Sequence, residues 1–349
     1  MFILAAERSI NESERLDNSV VLSVAHLAKR KNLRIRKLII DPLAAGWTTP
    51  HQEHHFRSGC GPLEAFQEAQ ILLDHKDCDV VLVEGIDLLK GEGRIERQKL
   101  MNIYDEISIP EAYTELAFCY LDRKGYKVSD FEKFSQVLFE NFAGTAQKRG
   151  ISVEIPSERF QKITRLFRAV DCANPVIDFR GRVLLGKDPA LTKSLGLESK
   201  KIVEISSVNV VQGSQDGPSN INEISRFSHL REVFEKTCAD SKIDFLNEFR
   251  NRRALLEVYS CFPIIPLAFL IECGYSKSIA ESVDFLRHHE VTVTGGMNLG
   301  RAAWNNPVLN ATILIRQLML EEGIAFGGIH GNGGLGYKQG FALFKLRSL

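Results

Sequence analysis

An α/β fold in two halves is what this sequence predicts, on three observations. Apolar runs alternate with amphipathic ones from end to end, the pattern of strands exchanged with covering helices. After a linker-like stretch at 186–199 the β-rich pattern starts again. At 349 residues the chain is too long for one small core and fits two similar halves or one large unit.

Taken in order, 2–6 and 38–40 read as strands, with a helix over 19–29 between them. A helix over 61–73 keeps Leu63, Phe66, Ile71 and Leu72 near one face, and 79–84 is a buried strand ending in Gly85. Helical patterns follow at 110–121 and 130–148, and 174–186 reads as a strand pair turning at Arg180–Gly181. The renewed pattern gives a long strand over 201–211, a polar loop over 213–220 and a helix over 223–240. A strand at 254–260, helices near 264–273 and 277–288, and a strand at 291–294 come next. A helix over 307–321 and strands at 327–329 and 341–346 complete the chain. The expected units are 1–195, with a loop region at about 86–170, and 196–349.

The composition, 44% hydrophobic and 25% charged, is that of a soluble globular protein. With 44 basic and 44 acidic residues the formal charge is zero, and nothing global favours nucleic acid or an anionic membrane as partner. No apolar stretch is long enough to cross a bilayer, and the apolar start at 1–6 is too short for a signal peptide, so it reads as a buried strand. Seven scattered cysteines without CxxC spacing point to reduced thiols and a cytoplasmic protein.

Three segments place glycine or small polar residues beside strand-like runs: 257–263, 291–297 and 330–336. Glycine there marks a bulge or a close approach of backbone to a ligand, so the three suggest loops converging on one pocket. Cys60, in Ser58-Gly59-Cys60-Gly61-Pro62, stands where a loop enters a helix. Unpaired amides and the helix dipole favour thiolate there, although a small cysteine also simply fills a tight turn. His330 enters a glycine cluster and is a candidate general base or a structural histidine. That cluster mimics GxGxxG, but no helix follows it. His51, His54 and His55 with Glu53 are the best metal candidates, though without a helical register; no metal is expected. Cys261, in Tyr259-Ser260-Cys261-Phe262-Pro263, reads as a packing residue with Tyr259 or Ser260 as pocket donors. No GxSxG hydrolase elbow is present.

Together these segments resemble the thiolase superfamily, closest to divergent acetyl-CoA acetyltransferase-like members with an incomplete catalytic set. Gly59-Cys60 running into Ala65 and Ala69, then the strand ending in Gly85, is similar to the nucleophile helix and the strand after it. Tyr259-Ser260-Cys261-Phe262 sits where relatives carry Asn-Glu-Ala-Phe or His-Asp-Cys-Phe. Gly295-Gly296 through Asn305-Asn306 sits where they carry Gly-Gly and then Gly-His-Pro. If Ala65 is held in the family register, the nucleophile position falls on Gly59 and Cys60 comes one residue late. The activating histidine falls on Ala302, just after Arg301, and the residue that holds the oxyanion water falls on Tyr259.

The resemblance implies a five-layer αβαβα fold built from two similar βαβαβ-type halves. It implies a thiolase-type acyltransferase of lipid metabolism acting on coenzyme A thioesters, with Cys60 as acyl acceptor and His330 as base. Tyr259, Arg301, Gly295, Gly296, Asn332, Gly333 and Gly334 would shape the oxyanion pocket. The alternative is a catalytically impaired relative that binds coenzyme A thioesters or a partner subunit. No permanently bound cofactor is implied. A homodimer and a small zinc-ribbon, acyl-CoA-binding partner are the implied assemblies. Losing one oxyanion donor costs about 3–4 kcal/mol of barrier, so the replaced positions bear directly on which reading holds.

Overall fold

The computed structural model describes residues 1–11, 20–43, 50–90, 93–151, 154–197, 200–299 and 302–349. Arg301, the expected helix start at position 19 and the end of the linker-like stretch at 198–199 lie outside the described residues. The first half runs β1 (Phe2–Ile10), α1 (Val20–Arg30), β2 (Ile35–Ile40), β3 (His55–Phe56), α2 (Gly61–Asp74) and β4 (Val80–Leu88). A helical region follows, α3 (Arg94–Met101), α4 (Ile109–Lys124) and α5 (Val128–Lys148), and β5 (Asp178–Gly186) returns to the sheet. After the short α6 (Leu191–Ser194) come β6 (Lys201–Gln212), α7 (Ile221–Ile224), α8 (Ser228–Ser241), α9 (Phe245–Arg250) and β7 (Ala254–Glu257). The remainder is α10 (Ile264–Glu272), α11 (Ile279–His288), α12 (Pro307–Glu322), β8 (Phe326–Gly333) and β9 (Lys338–Ser348).

The strands lie in the order β3-β2-β4-β5-β1-β6-β9-β8-β7, and this order holds a repeat. β5 sits between β4 and β1 and is antiparallel to both; β9 sits between β8 and β6 and is antiparallel to both. β2 pairs β4 in parallel, as β7 pairs β8. The two runs are therefore the same topology twice, joined edge to edge by β1 and β6 through Phe2↔Glu204 and Ile3↔Val203. This short antiparallel seam makes one continuous nine-stranded sheet.

The sheet folds over a central layer. α2 packs on β2 and β4 from one run and on β6 and β9 from the other, while α12 packs on β8 and on β1, β5 and β6. Flanked on both sides, α2 buries Leu63, Ala65, Phe66, Ala69, Leu72 and Leu73 around most of its circumference. α1 covers β1, β2 and β5 outside, and α8 covers β6 and β9, which completes five layers.

Three local expectations fail for identifiable reasons. β5 passes straight through Arg180–Gly181 instead of turning, because Gly181 is small to admit the Phe179 ring and Ile313. The helix expected over 223–240 breaks into α7 and α8 at Phe227, which has φ 48° and is fully buried. The strand expected at 291–294 does not form. The Glu257 carboxylate takes the amides of Val293 (2.6 Å) and Thr294 (3.0 Å), and the Val258 amide alone reaches across to the Val291 carbonyl (2.9 Å).

Candidate ligand cleft

The expected convergence of loops is present. A cleft of about 1220 Å³ is lined by Ser58 and Gly59 before α2, Tyr259, Cys261 and Phe262 between β7 and α10, Met297, Asn305, and Asn332 and Gly334 at the end of β8. Its volume exceeds the roughly 300–1,000 Å³ usual for small-molecule sites. The opposite wall comes from the α3–α4 connection and from residues 158–176.

At the floor, Gly59 and Cys60 face different ways. Gly59 lines the cleft, and a Cβ built on it would fall on the Tyr259 ring and the Asn332 carbonyl oxygen. The tyrosine thus fills the space into which a side chain at 59 would project. Cys60 is fully buried and does not line the cleft; its Sγ donates to the Lys338 carbonyl at 3.4 Å. Burial, and secondarily the nearby Glu64 carboxylate, push its thiol well above the ordinary value. Cys60 caps α2, but a helix dipole offers only about 0.3–2 kcal/mol toward thiolate, and burial outweighs it here.

His330 is likewise fully buried and away from the cleft, its ring centroid 4.8 Å from that of Phe269. Burial pulls its pKa down to about 4. Nε2 lies 2.6 Å from Gln339 Oε1, and the Gln339 amide in turn donates to Asn332 Oδ1 (2.8 Å) and the Gly336 carbonyl (2.9 Å). Two acceptors on that amide fix its orientation, so His330 carries its proton on Nε2, and Nδ1 is buried without a partner among the described residues.

The other named residues divide. Tyr259, Asn332 and Gly334 line the cleft. Gly295 (φ 83°) and Gly296 (φ 80°) press against α5, where added Cβ atoms would meet Ala146 at 2.8 Å and Phe142 at 2.7 Å. Gly333 abuts Ser58 Oγ, 2.9 Å from its own added Cβ. Ala302, at the expected histidine position, is buried and bridges to Pro175. His55 Nδ1 meets Asp41 Oδ1 at 2.7 Å, and His54 faces Glu68 at 3.8 Å.

Tyr113 in the cleft, and Asp87 outside its lining, escape a reading of the sequence. Tyr113, fully buried on α4, donates to the Gly334 carbonyl (2.6 Å), accepts from Asn332 Nδ2 (3.1 Å) and receives the Cys261 thiol (3.4 Å). Its ring stacks on Phe262 with centroids 4.1 Å apart. The available signal was a tyrosine on the apolar face of a helix, since a buried phenol needs a partner. Burial raises the Cys261 thiol to about 12. Asp87, fully buried, accepts from the amides of Leu43, Trp304 and Asn305 and from Asn306 Nδ2, pinning the loop before α12 to β4. The Tyr259 hydroxyl has no hydrogen-bond partner among the described residues.

No family model and no curated protein matches this chain. Solved structures do. A monomeric SCP2-thiolase-like protein type 1 from Mycobacterium smegmatis superposes with a TM-score of 0.70 at 17% identity, over 99% of this chain and 76% of that one. The Acat5 thiolase from Ascaris suum, solved in complex with coenzyme A, superposes with a TM-score of 0.61 at 13% identity, over 100% of this chain and 99% of that one. Identities this low speak to fold alone, and the fold is thiolase-like, distant from both neighbours.

Proposed function

We propose that this protein holds a coenzyme A thioester in the cleft and forms no acyl-enzyme through Cys60. The observation that carries the reading is the pairing of Gly59 with Tyr259. The floor position facing the cleft has no side chain, and an aromatic ring occupies the space a nucleophile there would need. The nearest thiol in sequence points away and is protonated by burial. His330, the candidate base, spends Nε2 on Gln339 inside the core and cannot reach a ligand. What remains in the cleft suits binding: the unpartnered Tyr259 hydroxyl can donate to a thioester carbonyl, and apolar walls can cover an acyl chain. That the Ascaris suum neighbour was solved with coenzyme A supports the choice of ligand class.

Intact mass after mixing with acetyl-CoA and longer acyl-CoAs, beside calorimetry, tests this reading. Wild type and Cys60→Ala should both keep an unchanged mass and both bind the thioester. An acyl adduct on wild type that disappears in Cys60→Ala would overturn it and restore an acyl-enzyme route.

A further inference from the structure

The charged residues lining the cleft are Arg97, Lys99, Asp105, Glu106, Glu158 and Arg159. The three acids and Lys99 are exposed, while the two arginines are half-buried. Arg97 donates to the Leu89 carbonyl at 2.7 Å. Arg159 differs: its Nη2 donates to the carbonyls of Ala169 (2.9 Å) and Asn298 (3.0 Å), its Nε and Nη1 donate to nothing, and no carboxylate pairs with it among the described residues. A guanidinium offers five donors in a planar fork that matches a carboxylate, and here one nitrogen anchors the group while the rest stays unspent. Burial lowers its pKa, as an unpaired cation in a partly dry site should show.

Position says which part of a ligand it would meet. Asn298 follows Met297, whose amide donates to Ser260 Oγ at 3.0 Å. Just past Ala169, the Ala173 amide donates to the Cys261 carbonyl at 2.7 Å. Arg159 is therefore tied to the two segments that clasp Ser260–Cys261, next to the Tyr259 and Cys261 lining of the cleft. On the reading above, that end receives the acyl group. We infer that Arg159 is a specificity residue for an acyl group ending in a carboxylate, so that the preferred ligand is a dicarboxylic acid monothioester of coenzyme A. The inference rests on the thioester-binding reading for its ligand and on the arginine's own geometry for its charge.

Two stable thioethers of matched length isolate the carboxylate: S-(3-carboxypropyl)-coenzyme A and S-butyl-coenzyme A, titrated calorimetrically into wild type, Arg159→Gln and Arg159→Lys. Wild type should bind the carboxylated compound about 10- to 100-fold more tightly, the range of a charge-assisted hydrogen bond. Arg159→Gln should erase that preference while leaving S-butyl-coenzyme A binding unchanged, and Arg159→Lys should keep part of it. No preference in wild type, or equal weakening of both compounds in Arg159→Gln (as a phosphate contact would give), overturns the inference and leaves the thioester site standing. If neither thioether binds, acetyl-CoA binding, whose thioester keeps the carbonyl, decides the thioester reading, and free glutarate decides the arginine alone. Stabilisation of wild type but not of Arg159→Gln by millimolar glutarate upholds it, and equal response of the two proteins overturns it.

Discussion

α2 and α12 lie side by side in the middle layer, each with proline in its first turn and neither with a side-chain cap, yet the loops leading into them are held by different chemistry. Before α2 the amides go to neutral acceptors: Ser58 to Asn305 Oδ1 (2.9 Å), Cys60 to Ser58 Oγ (3.3 Å) and Gly61 to the Ser58 carbonyl (2.9 Å). Before α12 four amides go to buried carboxylates, Trp304 and Asn305 to Asp87 and Val293 and Thr294 to Glu257, while Gly296 and Met297 go to the hydroxyls of Thr294 and Ser260. A helix start attracts negative charge, and at α12 the Asp87 carboxyl from β4 takes that place, its own pKa raised by burial and held back by the four hydrogen bonds it accepts. At α2 the corresponding place holds a thiol that burial keeps neutral. A helix start alone is therefore a poor guide to a nucleophile; what decides is whether water or donors remain to stabilise charge.

The largest effect should come from removing the anion at α12. Asp87→Ala leaves the amides of Leu43 and Asn305, the half-buried amide of Trp304 and Asn306 Nδ2 without their acceptor, which should cost about 3–5 kcal/mol in denaturant unfolding. Cys60→Ala at α2 removes one sulfur and one long hydrogen bond, so about 1 kcal/mol is expected. Equal losses in the two variants would erase the distinction between the helix starts.

Acidity sharpens the same comparison, because the β7 carboxyl that holds the segment leading towards α12 titrates late. Burial raises Glu257 from 4.5 to about 7, so the folded state binds the extra proton, and its contribution to stability is lost as pH rises between those values. His330 works in the opposite sense. Burial lowers it from 6.5 to about 4, the unfolded chain binds the proton, and stability is lost as pH falls through that window. Each is worth up to ~3 kcal/mol, and over most of their range they cancel. Relative to wild type, Glu257→Gln should therefore gain stability as pH rises from about 4.5 to 7. His330→Asn should gain it as pH falls from about 6.5 to 4. Parallel curves for wild type and both variants would mean that neither group is shifted.

How much of this was legible depends on the distance over which each feature is decided. The strands and helices were readable because their hydrophobic period is local, and the repeated strand order follows from the renewed β pattern near β6. The strand at 291–294 was not, because a single carboxylate at Glu257 replaces the ladder. The pocket loops were legible from their glycines, but not which glycines face the ligand: Gly295 and Gly296 serve the packing of α5. The choice between Gly59 and Cys60 was left open by counting, since the Tyr259 ring that bears on it lies 200 residues along the chain and was visible only as one letter in a loop. His330 looked like a base because nothing in its neighbourhood announces Gln339 and Phe269 as its surroundings.

The most direct probe of the α2 side is the floor glycine and the ring above it. Gly59→Ala adds one methyl where the Tyr259 ring and the Asn332 carbonyl already stand, and overpacking of this kind costs about 1–3 kcal/mol. In a Tyr259→Ala background the ring is gone and the carbonyl remains, so the same substitution should cost less but not become free. The difference between the two backgrounds is a coupling energy, expected at about 0.5–2 kcal/mol for groups in direct contact. A coupling near zero would mean the ring does not occupy the space above Gly59. The floor position would then be open to a side chain, and the case against acyl transfer at α2 would lose its main support.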